Sequence, residues 1–229
     1  MWQSLMMRRI AIIEEEIATS CENAGLAMTR PIEITLKKLR ILFQKIKLFL
    51  FIIFLTPFIC GAFGILHDQI TYTLSEEYYT KFKFIQFGLI EKQGMTMEMN
   101  HRLGAVIVGF GATWWVGIPI GLFYAITLMF FKSTKNLYKL YFKTVLLTFA
   151  ITIVTSFAGY LYWKLILQNE PPNWYLPETV RDRNSFFCVG SIHNFSYLGA
   201  EIGLIAGMLY LILLKRKEKN ASRSINFRK

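Results

Sequence analysis

The side chains best suited to chemistry in this sequence are its three histidines, His67, His101 and His193. Each lies next to a strongly apolar segment, and His67 is followed directly by Asp68 and Gln69. Imidazole and carboxylate groups together can ligate a transition metal ion or relay protons. Because no HxxxH or HExxH spacing occurs, the residues also fit a simpler interpretation, in which polar side chains at helix ends satisfy exposed backbone groups.

Glu201 is the one charged residue inside the apolar segments of the sequence. It follows Asn194 by seven positions, which is about 10 Å along a helix. An ionised carboxylate at that depth is costly, so we expect Glu201 to face the interior of a helical bundle, pair with a cation or stay protonated. The opposite face then carries Gly199, Gly203 and Gly207, which predicts an outward helix–helix interface and self-association.

Two further groups of residues lie near these candidates. Glu76 and Glu77, followed by Lys81, resemble the EExxxR motif of intramembrane CAAX-type proteases. Lysine replaces arginine here and no FxxxH follows, so the sequence favours a protein without this catalysis. Trp114 lies near the middle of an apolar segment, where its indole needs a hydrogen-bond partner such as Glu201. These residues require no cofactor, although the histidines could hold a transition metal or haem.

The elements that must position these residues are four apolar segments. A helix needs about 20 apolar residues to cross the hydrocarbon core of a membrane, and four windows meet this requirement: residues 48–66, 103–131, 144–163 and 195–214. Small residues recur every four positions within them, which permits close helix packing in lipid. We therefore predict an all-α membrane protein whose four spans form an antiparallel transmembrane bundle.

The predicted membrane domain, residues 48–214, lies between two basic segments. Residues 1–30 are expected to be poorly structured, or to precede a true start of translation at Met28. Residues 31–47 form a basic amphipathic segment suited to an anionic lipid surface. Residues 215–229 form a basic cytoplasmic tail. These boundaries leave no room for a separate folded domain.

Basic residues are distributed unevenly among the segments that separate the apolar windows. Of the 26 lysines and arginines, 19 lie before the first window, between the second and third, or after the fourth. Because lysine and arginine concentrate on the cytoplasmic side, both termini are predicted to be cytoplasmic and the three histidines to share the outer side. The basic residues flank helix ends, so the net charge of +11 indicates contact with lipid and not with nucleic acid.

The longest outer segment, residues 67–102, alternates polar and apolar side chains. The alternation covers residues 69–75 and returns at residues 81–84, where lysine alternates with phenylalanine. A period of two is typical of β-strands. We therefore predict a small aromatic β-hairpin-like loop that rests on the outer membrane surface.

Three blocks of the sequence, within roughly residues 45–215, resemble an uncharacterised family of four-span bacterial integral membrane proteins. The blocks read GILHDQITYTLSEEYYTKFKFIQFG, HRLGAVIVGFGATWWVG and SIHNFSYLGAEIGLIAG. The resemblance implies a multi-pass protein of the bacterial inner membrane with its outer loops in the periplasm. It implies no activity and no site residue.

These observations predict a non-catalytic membrane protein that acts as a binding, accessory or assembly subunit of the cell envelope. The alternative is a protein that binds a metal ion or handles protons with a His, Asp and Glu cluster at its outer face. The expected partners are the lipid bilayer and, through the fourth span, a second copy or another membrane subunit.

Overall fold

Every regular element in the described part of the chain is a helix. The computed structural model describes the backbone of residues 2–91 and 98–226, and the side chains mainly of residues 33–91 and 98–220. The α-helices are α1 (Trp2–Leu74), α2 (Glu76–Tyr78), α3 (Phe84–Gln86), α4 (His101–Thr113), α5 (Gly117–Met129), α6 (Leu137–Tyr162) and α7 (Arg183–Asn226). Three tighter or wider turns connect or extend them: a π-helical turn at Tyr79–Lys83, a 3₁₀ turn at Trp114–Val116 and a π-helical turn at Trp163–Leu167.

The chain divides into two compact units, Met1–Lys47 and Leu48–Lys229. The first unit consists of the first part of α1, and its described residues 33–40 are exposed. The predictions for residues 1–30 and for the basic tail at residues 215–229 stay predictions, because most side chains at the two ends lie outside the described residues. The packing and the site described below belong to the second unit.

Four helical segments of the described chain are long and apolar enough to cross a membrane: Glu33–Leu74, His101–Met129, Leu137–Leu167 and Arg183–Asn220. Their outer faces are strongly apolar, as expected for lipid contact: Phe54, Leu146 and Val154 are 68%, 68% and 69% exposed. The all-α, four-span prediction is therefore confirmed. The helices exceed the predicted windows because hydropathy marks only their apolar part, whereas backbone hydrogen bonding continues into polar residues.

Glycines bring α1 close to α4 and α5. A Cβ atom on Gly109 would lie 2.5 Å from the carbonyl oxygen of Gly64, and one on Gly117 would lie 2.5 Å from Cα of Pro57. Thr113 strengthens the contact by donating a hydrogen bond to the Cys60 carbonyl at 2.9 Å. Residues 64, 60 and 57 of α1 contact residues 109, 113 and 117 in that order. Because the numbers fall along α1 and rise along α4 and α5, α1 runs antiparallel to these helices.

Close packing at glycines also joins α6 to α7. Gly199, Gly203 and Gly207 are buried, and the space above each is filled by threonines of α6, including Thr148 beside Gly203. Tyr124 of α5 completes this layer, because its hydroxyl lies 2.6 Å from Thr148 Oγ1 and donates to the Gly203 carbonyl at 3.2 Å. The expectation that the glycine face looks outward is therefore wrong; whether the protein self-associates stays a prediction.

The predicted hairpin, with strands at residues 69–75 and 81–84, is wrong, because α1 continues to Leu74, residues 79–86 are helical, and no strand occurs in residues 2–91 or 98–226. From residue 68 to residue 75 the buried positions are 68, 71, 72 and 75. They follow the helical spacing i, i+3, i+4 and i+7, which the polar–apolar alternation concealed. At Ser75 the backbone is extended, with φ −150° and ψ 100°, and its side chain caps α2. The chain therefore changes direction at a helix cap.

Enlarging a glycine between α6 and α7 should destabilise the bundle. A Cβ atom on Gly203 would lie 2.9 Å from Thr148 Cγ2 and 3.0 Å from the Thr148 backbone. We expect Gly203→Val to cost about 1–3 kcal/mol, the usual range for overpacking, and to lower the thermal unfolding midpoint in detergent. Ile205→Val, on the exposed face of α7, is the control and should change little. Equal midpoints would contradict the packing described here.

Candidate functional site

The carboxylate of Asp68 lies between two imidazole rings. Its Oδ1 atom is 3.2 Å from Nδ1 of His67 and 3.8 Å from Nε2 of His193. The two rings meet edge to face, with centroids 4.8 Å apart. Asp68 is only 2% exposed and His193 6% exposed. The structure therefore brings together three of the predicted site residues, which we call the His–Asp–His cluster.

Two helices that are distant in sequence build this cluster. His67 and Asp68 lie near the end of α1, and His193 lies in the third turn of α7. One turn further along α7, Ser196 Oγ lies 2.8 Å from Nε2 of His67 and 2.7 Å from Ser156 Oγ of α6. The hydroxyl of Ser196 thus fixes the orientation of the His67 ring.

Thr71 in the last turn of α1 and Tyr79 beyond its end cover the cluster. Thr71 Oγ1 and the Tyr79 hydroxyl each lie 3.4 Å from Nε2 of His193 and 2.6 Å from one another. Within the described residues, the second oxygen of Asp68, Oδ2, is buried without a hydrogen-bond partner. A buried, unsatisfied carboxylate oxygen is costly, so this atom marks a position where a ligand would stabilise the fold.

Tyr78 and Tyr79 cover the cluster, and we call the segment that contains them, residues 76–86, the roof. The Tyr78 ring stacks on the His193 ring, with centroids 5.2 Å apart and an interplanar angle of 22°. Burial raises the pKa of Tyr78 and of Tyr79, and the negative charge of Asp68 raises both further. Both phenols therefore keep their protons at neutral pH and serve the cluster as neutral groups.

A buried lysine lies in the same roof. Lys83 is 9% exposed, donates to Gln86 Oε1 at 3.0 Å, and places its ammonium 5.3 Å from the Phe82 ring centre and 5.9 Å from that of Tyr78. Burial lowers its pKa, whereas the charge of Asp68 acts in the opposite direction. The aromatic rings thus hold one cation near the buried carboxylate.

His101, the third histidine, lies outside the cluster. Its Nδ1 atom is 2.9 Å from Glu76 Oε1, and the two side chains are 38% and 58% exposed. This hydrogen bond lowers the pKa of Glu76. Gln69 is also separate: its side-chain amide donates to the Arg102 carbonyl at 3.0 Å, and the Arg102 guanidinium donates to the Gln69 carbonyl at 3.1 Å, which ties α1 to α4.

Glu77 of α2 contacts the chain segment that leads into α7. Its carboxylate accepts the backbone N–H groups of Arg181 at 3.0 Å and Asp182 at 2.8 Å. Asp182 in turn accepts the N–H of Ser185 at 3.0 Å, and this hydrogen bond lowers the pKa of Asp182. These contacts are helix-end caps.

Three predicted candidates point away from the cluster. Asn194 and Glu201 are exposed, and Trp114 is 42% exposed. The expectation that Glu201 looks into the bundle is therefore wrong. It borders a surface hollow with Trp115, the neighbour of Trp114.

A small cavity of about 50 Å³ adjoins the cluster inside the bundle. This volume holds a few water molecules. The walls include His67, Asp68, His193, Ser196, Phe63, Thr113, Thr148 and Thr152. The cluster therefore has space beside it for a small ligand.

Several residues at the site were not anticipated from the sequence. Helical spacing from Asp68 would have indicated Thr71, had the segment been recognised as helix, whereas Tyr79 lies beyond the break at Ser75. No sequence pattern indicated Ser196 or Lys83, because their closeness to the cluster depends on how α7 and the roof pack against α1.

Comparison of the chain with family models, curated proteins and solved structures finds no match. The class of the protein therefore rests on its own fold, whose four helices are long and apolar enough to span a membrane. It is a multi-pass membrane protein with a buried His–Asp–His cluster.

Removing the cap on α7 should give a pH-dependent loss of stability. The folded state lowers the pKa of Asp182 below its ordinary value of 3.8, so the cap contributes fully above this pH and is lost as the pH falls through the lower, folded value. We expect Asp182→Ala to cost about 1 kcal/mol at pH 7, measured by thermal unfolding in detergent. Asp182→Asn should keep most of the cap. A deficit of Asp182→Ala that persists unchanged at pH 3 would contradict this assignment.

Proposed function

We propose that the protein binds one divalent transition-metal ion at His67, Asp68 and His193. The observation that carries this proposal is the buried Asp68 carboxylate, which lies between two imidazoles with its Oδ2 atom unpartnered. Two imidazoles and one carboxylate suit iron, zinc and similar first-row ions. Such an ion would neutralise the buried charge and supply the missing partner.

The spacing of the three side chains supports a metal ion. The ligand atoms all lie within 4.8 Å of one another. Ligand atoms around one such ion, at bonds near 2.1 Å, lie about 3.0–3.5 Å apart. The observed 3.2 Å between His67 and Asp68 falls in this range, whereas the 3.8 Å from Asp68 to His193 and the widest separation, up to 4.8 Å, require the side chains to draw closer around the ion.

The surroundings favour a bare ion over haem. The adjoining cavity of about 50 Å³ has room for the water that completes a coordination shell, but not for a porphyrin. Ser196 holds the His67 ring by its second nitrogen at 2.8 Å, as outer-shell partners of metal ligands do.

Metal content of the purified full-length protein tests the proposal. We expect about one equivalent of metal after loading with Zn²⁺ or Fe²⁺ and removal of excess ion, with tetrahedral or five-coordinate absorption bands when Co²⁺ is used. His193→Ala and the nearly isosteric Asp68→Asn should lower metal affinity at least about tenfold. His101→Ala is the matched control, because this histidine pairs with Glu76 outside the cluster.

Two outcomes of the metal analysis would overturn the proposal. Folded wild-type protein that retains no ion after loading, or equal metal content in wild type and Asp68→Asn, would show that the cluster is only a structural hydrogen-bond network. Equal loss in His101→Ala would place the metal elsewhere. Gel filtration of each variant establishes that it is folded.

The charge distribution supports an orientation in a bacterial inner membrane, with both termini cytoplasmic and the metal centre on the outer side. Cysteine labelling of intact cells tests it. We expect an impermeant maleimide to react with Glu98→Cys and not with Lys135→Cys, each introduced into a cysteine-free background. Reaction at position 135 with protection at position 98 would reverse the orientation.

A further inference from the structure

Glu201 is an exposed carboxylate on a membrane-spanning helix. It lies on α7 within the candidate span Arg183–Asn220, about 27 Å from Arg183 and about 21 Å from Lys215 at the helical rise. Its neighbours on the outer face are apolar and exposed: Leu198 is 46% exposed, Ile202 43% and Ile205 60%. No hydrogen bond or ion pair of Glu201 is found among the residues that the structure describes.

An ionised carboxylate that faces acyl chains in this position is unstable by itself. Charged residues at the centre of a spanning helix cost about 2.5–3.5 kcal/mol on insertion scales, and they usually face a protein partner or a water-filled cavity. Among the described residues the bundle supplies no protein partner, since Glu201 points outward. For the ionised carboxylate, a charge partner would therefore come from outside the described chain.

The surface beside Glu201 is shaped to receive a side chain. A hollow of about 170 Å³ lies between α7 and the segment where α4 gives way to α5. Its walls are Trp115, Val116, Pro119, Ile120, Tyr197, Ala200, Glu201 and Leu204. Apolar walls with a single carboxylate suit the long methylene stem and charged end of a lysine or arginine.

A second copy of this chain cannot supply that cation. Residues 48–74, 103–131 and 144–163 contain no lysine or arginine, and a symmetric dimer through this face would bring a second carboxylate to the first. The glycines of α7 are already occupied by α6, so they offer no alternative self-association surface. We propose that the Glu201 face docks a transmembrane helix of a different protein that carries a lysine or arginine within the membrane. The proposal is independent of the metal centre.

Energy transfer in vesicles tests this proposal with defined probes. Full-length protein carrying a donor dye is reconstituted in phosphatidylcholine vesicles with acceptor-labelled leucine–alanine peptides that span the bilayer. One peptide has arginine at its centre and the other has leucine. We expect wild-type protein to associate with the arginine peptide at least about tenfold more strongly, and Glu201→Gln to remove this preference.

The control variant is Leu198→Ala, which alters the same exposed face without touching a charge and should keep the preference. Equal association of the two peptides with wild type would overturn the proposal. So would a preference that survives in Glu201→Gln, since the carboxylate would then not be the docking group. Glu201-dependent energy transfer between two labelled copies of this protein would also overturn it, by showing that the occupant is a second copy.

Discussion

The end of the bundle that holds the His–Asp–His cluster depends on the burial of one charge. Asp68 is almost completely enclosed, and a carboxylate in a low-dielectric interior is tolerated only when neighbouring groups compensate it. The two imidazoles, the neutral phenol of Tyr79 and the buried Lys83 all lie within its influence. The break at Ser75 and the π-helical turn that follows serve this arrangement, because they return the chain over the end of α1.

Below this polar layer, close backbone contact holds the helices together. In lipid, apolar surface gives no preference for helix over acyl chain, so association requires tight packing and hydrogen bonds. Glycines on α1 and α4 meet one another, and glycines on α7 meet the threonines of α6. The hydroxyl of Tyr124 joins α5 to this second interface. Both interfaces therefore use small residues to bring hydrogen-bonding groups within reach.

Asp68 and Glu201 are both carboxylates within candidate membrane spans, where an uncompensated charge is costly. The structure surrounds them differently. Asp68 is compensated inside the chain, at a site whose remaining unpartnered oxygen fits a metal ion. Glu201 has no such compensation within the described residues and faces outward beside an apolar hollow. The first arrangement is a candidate binding site for an ion, and the second a candidate binding site for another protein. Both of these functions are compatible with a multi-pass membrane protein.

The number of spans, their apolar character and the helical class follow from the sequence alone, because bilayer thickness and backbone hydrogen bonding restrict a chain in lipid to very few structures. The sequence also identified His67, Asp68 and His193. It failed where a side chain's surroundings depend on helix rotation and packing: the hairpin was a helix, the glycines of α7 face inward, Glu201 faces outward, and His101 lies apart. Only the tertiary structure decided these points, because hydropathy measures how apolar a segment is and not which neighbour each of its faces meets.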